Sequence, residues 1–569
     1  MAMLLSIMAS VNNIFVLCII IYSFIILILS KKILNKNTVL KKILYIIPLI
    51  LSIIHFIINY LHEAFMLNIK LFWSIYLFSI LFCLIPILYK KEKLFNKIKI
   101  LFIIYGIFTY ILILFQTINY NKLHNLTYES YTSSFTKAIE ILKKEYVLSE
   151  HKKIDYDYLL NKYYPIIAEA EETNNEQLYF KTMYEFSNEF YDGHFDYGIY
   201  FKNNEEFYDR YKFNMDYENG YYGFGTIQLS NGDVICLLVN QNSDAYKQGL
   251  RDGMTILKKN NIDVNYLIDT MFIPNTNYPV LEDAKLIKSI LLFNSGGETI
   301  DLTFIDENNE EKTINIKQYN PQDQQPESSI IYNKIIDTPY GTENLSTKML
   351  NETTGYIYIE NEMYSKILGT IGYLFDDATY LKNIIDSKLQ LLLEKGMKNL
   401  IIDVRGNTGG LINESSAIAS LFTKKDYDYS KEGLENFKIY NYTKVKGNGK
   451  YANLDVALLI NVDSGSAGDI LIDMLSKCDN VKIYGLTNSN NIAQAIGGKI
   501  YLTGGKSYLS YPIHSTYDIN GNILIDTNEK RIANVKPDVR VNITKENIND
   551  IIYNDNDYLL EYVLKEINK

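Results

Sequence analysis

Two short turns carry most of the groups in this chain that could do chemistry. The first is Asp403-Val404-Arg405-Gly406-Asn407-Thr408-Gly409-Gly410, directly after an apolar run. Its glycines let the backbone turn sharply and leave N–H groups free to face a ligand. The second is Val462-Asp463-Ser464-Gly465-Ser466-Ala467-Gly468-Asp469, between an apolar run and an amphipathic one. A serine at that junction sits at the positive end of a helix dipole, which favours developing negative charge. Each pattern also has a plain structural reading. A serine at a helix start is usually an N-cap, and a Gly-rich loop could hold phosphate or nothing. The G-x-S-x-G spacing of a nucleophile elbow is absent. A serine needs a base, and a histidine, with an ordinary pKa near 6.5, or a lysine could supply it. His194, in Asp192-Gly193-His194-Phe195, reads by itself as a solvent-exposed turn histidine. His124 and His151 flank helical stretches and read as surface residues.

The elements that must position these turns follow from periodicity. Over 354–490, GYIYIE, NLIIDVRG, VALLINV and VKIYGLT read as strands. They alternate with the amphipathic stretches DDATYLKNIIDSKLQLLLEKG, NESSAIASLFTKK and SAGDILIDMLSKC. Strands apolar throughout, separated by such helices, predict a mainly parallel sheet covered on both faces. Reactive groups then gather where strands end and helices begin. Residues 130–190 read as helices with Asp or Asn caps between them. Residues 217–318 read as a small β domain, and 499–545 as a late β region before a closing helix. The expected fold is α/β. Its parts are four apolar helices over 1–122, a helical part over 123–216, the β domain over 217–318, a linker over 319–352 and the α/β core over 353–569.

The apolar helices are expected at 11–30, 43–61, 71–89 and 100–118, each near the roughly 20 residues that cross a bilayer. The connections 31–42 and 90–99 each hold five lysines. The positive-inside rule puts them in the cytoplasm and the large domain outside. His55 and His62 lie in or beside a span and read as interfacial or helix-packing groups. Residues 1–122 hold 12 Lys against Glu63 and Glu92, a net +10, so a chain of net −10 leaves −20 for the rest. So acidic a body excludes nucleic-acid binding, which needs cations against phosphates. Abundant Tyr, Ile, Asn and Lys with one Trp suggests an AT-rich bacterial genome, and hence a multi-pass protein of the bacterial cell membrane. Cys18, Cys83, Cys236 and Cys478 show neither disulfide nor zinc spacing and read as buried small apolar residues.

In the order GYIYIENEMY, NLIIDVRGNTGG, ALLINVDSGSAGDILIDML, VKIYGLTNS and NVKPDVRV, the chain resembles the tail-specific (carboxyl-terminal processing) and tricorn-core serine peptidases. The β domain resembles a PDZ module, with Tyr222, Gly223, Phe224 and Gly225 as the loop that would receive a chain terminus. The resemblance implies a serine endopeptidase acting on peptide or protein substrates, with no metal or cofactor. It implies Ser466 as nucleophile rather than Ser464, and an oxyanion hole from the N–H groups of Ala467 and of Gly409 or Gly410. Many tail-specific peptidases place a lysine base 25 residues after the serine, where this chain has Asn491. Lys499 and Lys506 are nearby but lack the motif. The tricorn-type branch uses a histidine, which falls on His194, with His514 of the late β region as its rival. A carboxylate should orient it. Asp526 and Glu529 are on offer, with Glu529 favoured, although the usual register falls on Arg531. The competing expectation is an inactive peptide-binding or sensor protein on the same fold. A membrane partner protein for the four helices fits either.

Overall fold

In the computed structural model of the 569-residue chain, the described residues are 16–27, 43–53, 69–83, 100–111, 124–200, 221–272, 278–294, 297–319, 325–336, 344–362, 378–434, 439–489, 496–513 and 515–569. His514 and Asn491 lie outside them, as do 217–220 and parts of the stretch 319–352. Helix α1 (Tyr131–Glu145) buries Phe135, Ala138, Ile139 and Leu142, the i, i+3, i+4, i+7 stripe of one helix face. Helices α2 (Tyr156–Glu172) and α3 (Glu176–Asn188) are capped by Asp155 and Asn175, whose side chains accept from Tyr158 N and Leu178 N. Tyr163 and Phe186 pack edge to face between them, centroids 5.9 Å apart.

Two antiparallel pieces follow. Strands β1 (Gly225–Gln228) and β2 (Val234–Leu237) pair as a hairpin. Strands β3 (Ile256–Lys259), β4 (Ile262–Asp263), β5 (Thr299–Ile305) and β6 (Glu311–Lys317) form a sheet in the order β4-β3-β5-β6. Tyr222, Phe224, Cys236, Ile256, Leu302 and Phe304 share one core here. Helices α4 (Leu281–Leu291) and α5 (Glu327–Ile336) both lie against β1.

The positioning scaffold is a six-stranded sheet. Its strands are β7 (Leu345–Met349), β8 (Thr354–Ile359), β9 (Asn399–Asp403), β10 (Asp455–Leu459), β11 (Val481–Gly485) and β12 (Val539–Arg540). The order is β12-β11-β10-β9-β8-β7, parallel except for β7. Side chains alternate between two cores, as the strand period of two requires. Ile357, Leu400, Ile402, Val456 and Leu458 face α6 (Thr379–Glu394), α7 (Ile412–Ala419) and α8 (Ala467–Ser476). Tyr356, Tyr358, Ile401, Ala457 and Leu459 share the opposite core with α5 and α9 (Tyr558–Ile567). Burial on both faces is why these strands read as unbroken apolar runs.

Residues 1–142 with 496–510 form one unit, and 143–495 with 511–569 another. In the first, the described helical stretches 16–27, 43–53, 69–83 and 100–111 overlap the four apolar runs. Among the described residues no helix is long and apolar enough to cross a membrane. Their surface is nonetheless apolar, with Ile21, Ile25, Ile46, Ile50, Ile104 and Phe108 exposed. Ser52 and Ser79 hydroxyls meet at 2.6 Å inside.

Two sequence expectations need correction. Cys18 is exposed rather than buried, because it lies on the outward side of its helix, while Cys236 and Cys478 are buried. His124 is buried, not a surface residue, because the segment it opens is tied down by Leu126 N donating to Tyr501 O at 2.8 Å.

Candidate active site

Strands β9 and β10 are parallel neighbours, so the turns that follow them emerge side by side at one rim of the sheet. Backbone and side chains stitch them together. Gly465 N donates to Asn407 O at 2.8 Å, and Ser464 Oγ donates to Val404 O at 2.9 Å. Asn461 Oδ1 accepts from Gly406 N at 2.9 Å and from Asp463 N at 3.1 Å. Below them the Arg405 guanidinium is buried between Asp403, at 2.6 Å, and Asp557, the N-cap of α9. Tyr356 OH also donates to Asp403, at 2.8 Å.

Ser466 occupies the first position before α8, yet it does not act as a cap. Its φ is 56° and its ψ −125°, and its side chain makes no cap hydrogen bond. A non-glycine residue held there stores about 1–3 kcal/mol of strain, which persists only when its surroundings over-determine it. Gly409 is what over-determines it. Gly409 has φ +91°, and a Cβ there would lie 2.7 Å from both Ser466 Cβ and Ala467 N. Only a glycine permits this approach of the two turns. Ser466 is half-buried, whereas Ser464 is fully buried with its hydroxyl spent on Val404 O.

Two N–H groups of these turns are unused. Among the described residues, those of Ala467 and Gly410 meet no acceptor, while Gly409 N donates to Asn407 Oδ1 at 2.8 Å. Asn407, fully buried, also donates from Nδ2 to Ile359 O at 3.1 Å and to Glu362 Oε1 at 3.0 Å. Glu362 is fully buried beside Gly410, and burial pushes its carboxyl up to about 8, opposed by the Asn407 hydrogen bond. Sequence reasoning missed Asn407, Asn461 and Glu362 as the struts of the site. The only signal was that Asn407 stands between the glycines of its turn.

His194 lies in the turn after α3. Asp192 shapes this turn, accepting from His194 N at 2.8 Å and from Tyr146 OH at 2.8 Å. His194 Nδ1 is enclosed without a hydrogen-bond partner among the described residues. Burial lowers the imidazole pKa, and the Asp192 charge opposes this. A buried ion pair pins the same turn. Lys152 Nζ lies 2.6 Å from Asp526 Oδ1 and also donates to Tyr191 O. Burial raises the Asp526 carboxyl, with Lys152 opposing and Asp192 reinforcing the shift. Asp526 is therefore engaged with Lys152, and Glu529 is exposed, 3.5 Å from Lys153. Among the described residues no hydrogen bond joins His194 to Ser466 or to Glu529. The structure thus brings together Ser466, Ala467, Gly409 and Gly410, and gives Glu529 a surface lysine as its partner.

Tyr222 and Phe224 point into the β-domain core, and Gly223 has φ +77° against Ser243. The free edge of β1 is covered. Gln228 N donates to Ser289 Oγ of α4 at 2.7 Å, and a Cβ on Gly225 would lie 2.5 Å from Ile331 of α5. Lys499 Nζ stands 3.6 Å from the centre of the Tyr508 ring, and Arg531 stacks on Tyr191.

Residues 355–541 match the model of peptidase family S41. The carboxy-terminal processing protease CtpA of Bacillus subtilis (strain 168) is 26% identical over 152 residues, 26% of this chain and 31% of that protein. A probable CtpA-like serine protease of Staphylococcus aureus (strain bovine RF122 / ET3-1) is 25% identical over 151 residues, 26% of this chain and 29% of that protein. The solved structure of mature CPAF complexed with lactacystin aligns with a TM-score of 0.49 at 12% identity, covering 77% of this chain and 99% of that one. The chain thus spans less than a third of the length of these curated relatives. Over the matched part it is similar to serine-type peptidases, and that part contains both glycine-bearing turns but not the turn of His194.

Proposed function

We propose that the chain is a membrane-anchored serine endopeptidase that hydrolyses peptide bonds of peptide or protein substrates through an acyl-enzyme on Ser466. One observation carries this reading: Ser466 has φ 56° and packs directly against the Gly409 turn, and the N–H groups of Ala467 and Gly410 in these two turns have no acceptor among the described residues. Ser466 Oγ attacks the scissile carbonyl carbon, and the carbonyl oxygen becomes an oxyanion. Each N–H pre-placed for that oxygen lowers the barrier by roughly 2.7–4 kcal/mol. The serine proton passes to His194 and then to the departing amine as the C–N bond breaks. Water repeats the sequence on the ester to release the acid. A histidine of lowered pKa stays neutral, and so able to accept a proton, at neutral pH.

The lysine-rich connections and the exposed isoleucines of the N-terminal helical stretches support anchoring in the bacterial cell membrane, with the peptidase part outside. The PDZ-like part would dock a substrate segment on β1, which requires α4 and α5 to release that edge. A second reading, an inactive peptide-binding or sensor protein on the same fold, is favoured by the missing hydrogen bond between His194 and Ser466. Labelling of the full chain with a fluorophosphonate separates the two. A peptidase is labelled in wild type and unlabelled as Ser466→Ala, with labelling greatly slowed in His194→Ala. Absence of labelling in wild type, or equal labelling of Ser466→Ala, refutes the proposal. Cysteine accessibility at a site placed in 123–130 tests the orientation, and protection from an external reagent would overturn it.

A further inference from the structure

A cation-rimmed concavity lies in the same unit as the site. It is a cleft of about 420 Å³ walled by Val280, Leu281, Ile532 and Pro537, with Lys285, Lys530, Arg531, Lys536 and Arg540 around it and Glu282 as its one acid. That volume is within the range of ligand pockets, roughly 300–1,000 Å³. Five cations there stand out, because the chain beyond residue 122 has a net charge of −20.

Some of that charge is neutralised locally. Lys285 pairs with Asp269 at 2.7 Å, and Arg540 pairs with Glu282 at 2.9 Å and Asp283 at 3.0 Å. The rest makes no ion pair among the described residues. There the Arg531 side chain donates to the carbonyl oxygens of Pro279 and Tyr278, at 3.0 and 2.8 Å, and stacks on Tyr191, with the Glu189 charge also acting on it. Lys530 and Lys536 are exposed and have no carboxylate partner among the described residues. Three cations held in a concave wall focus a positive potential that draws anions.

The cleft is also bolted to the rim that carries Ser466. Asn488 in its wall bonds Asp283 at 2.9 Å. The preceding residue, Thr487, accepts from Val462 N of the Ser466 turn at 2.8 Å. Asp538, between Pro537 and Arg540, accepts from Ile483 N of β11 at 2.8 Å. Tyr191, the ring under Arg531, stands three residues before His194.

We infer that this cleft is an accessory binding site for acidic side chains of a polypeptide substrate. The inference rests on the peptidase reading for its biological sense, but not for its measurement. Cations spread along an apolar wall suit an extended chain bearing separated carboxylates. A compact phosphate would instead call for converging donors such as a nest of backbone N–H groups.

The test uses the full chain in detergent micelles as Ser466→Ala, so that binding is read without turnover. Two fluorescent dodecapeptides are compared by anisotropy, both amidated at the C-terminus, one with four Asp/Glu and the other with Asn/Gln in their place. The acidic peptide should bind about tenfold tighter at low salt, with the advantage shrinking as NaCl rises. Adding Lys530→Gln and Lys536→Gln should reduce that advantage about three- to tenfold, leaving the neutral peptide unchanged. Equal binding of the two peptides, or an unchanged advantage in the double variant, overturns the inference. So does tighter binding of the neutral peptide with a free C-terminus, or displacement of the acidic peptide by inorganic phosphate at submillimolar concentration. Fluorophosphonate labelling of wild type is scored separately. Labelling without acidic preference sinks this inference alone, and acidic preference without labelling sinks the peptidase reading and leaves the cleft standing.

Discussion

Replacing Glu362 by Gln should change how the stability of the chain depends on pH. Glu362 is fully buried, and burial pushes its carboxyl up to about 8 from an ordinary 4.5. In the unfolded chain the same group is ionised above its ordinary pKa. Between those values the folded state binds more protons than the unfolded state, so stability falls as pH rises. The stabilisation is complete below the unfolded pKa and is lost progressively up to about 8. The slope is about 1.4 kcal/mol per pH unit, which amounts to roughly 2 kcal/mol between pH 6 and pH 8. Glutamine keeps an oxygen for Asn407 Nδ2, now 3.0 Å from Oε1, and cannot ionise. Its own fit to the enclosed site, where Oε2 has no partner among the described residues, shifts the variant by a constant amount at every pH. The difference in Tm between variant and wild type is the readout. It should move by roughly 2–3 °C in the variant's favour from pH 6 to pH 8, at about 1 °C per kcal/mol for a unit as large as 143–495 with 511–569. Curves that run parallel across this range would mean that Glu362 ionises like a hydrated carboxylate, and the account of its burial would be wrong. The same carboxyl is linked to the Ser466 turns, because Glu362 holds Asn407 and Asn407 holds Gly409 N.

Gly409→Ala should slow fluorophosphonate labelling at least about 10²-fold while circular dichroism stays native, since its Cβ would meet Ser466 and Ala467 N at 2.7 Å. Arg405→Met should cost roughly 3–5 kcal/mol, because it leaves Asp403 and Asp557 facing each other without their shared cation. A lowered denaturant midpoint, with faster amide exchange in α9, is the measurement. Lys152→Met should destabilise by a similar roughly 3–5 kcal/mol, stranding Asp526 and Asp192 in the interior. Adding Asp526→Asn to Lys152→Met should recover part of that loss, and no recovery would show that the lysine acts through packing rather than charge.

What could be read in advance, and what could not, divides along a physical line. The apolar runs of β8 to β11 announced strands covered on both faces, because each residue of such a strand has a buried face to fill. The turns after β9 and β10 were legible for the same reason, since a polar, glycine-bearing stretch must sit where a buried strand ends. Nothing local foretold the φ of 56° at Ser466, which packs against a glycine 57 residues earlier across the rim. Glu362, in the polar stretch after β8, has the composition of a surface acid. It is buried because the parallel bridge to Gly410 draws that stretch under the neighbouring turn. The pair that secures the His194 turn, Lys152 with Asp526, is separated by 374 residues. Motif register falls on Arg531 and does not choose between Asp526 and Glu529, because register carries no information about which carboxylate the fold buries. Local pattern therefore assigns reactive residues to strand ends and turns. Their strain, ionisation and partners belong to contacts made after the sheet has assembled, and it is those contacts that the substitutions above would disturb.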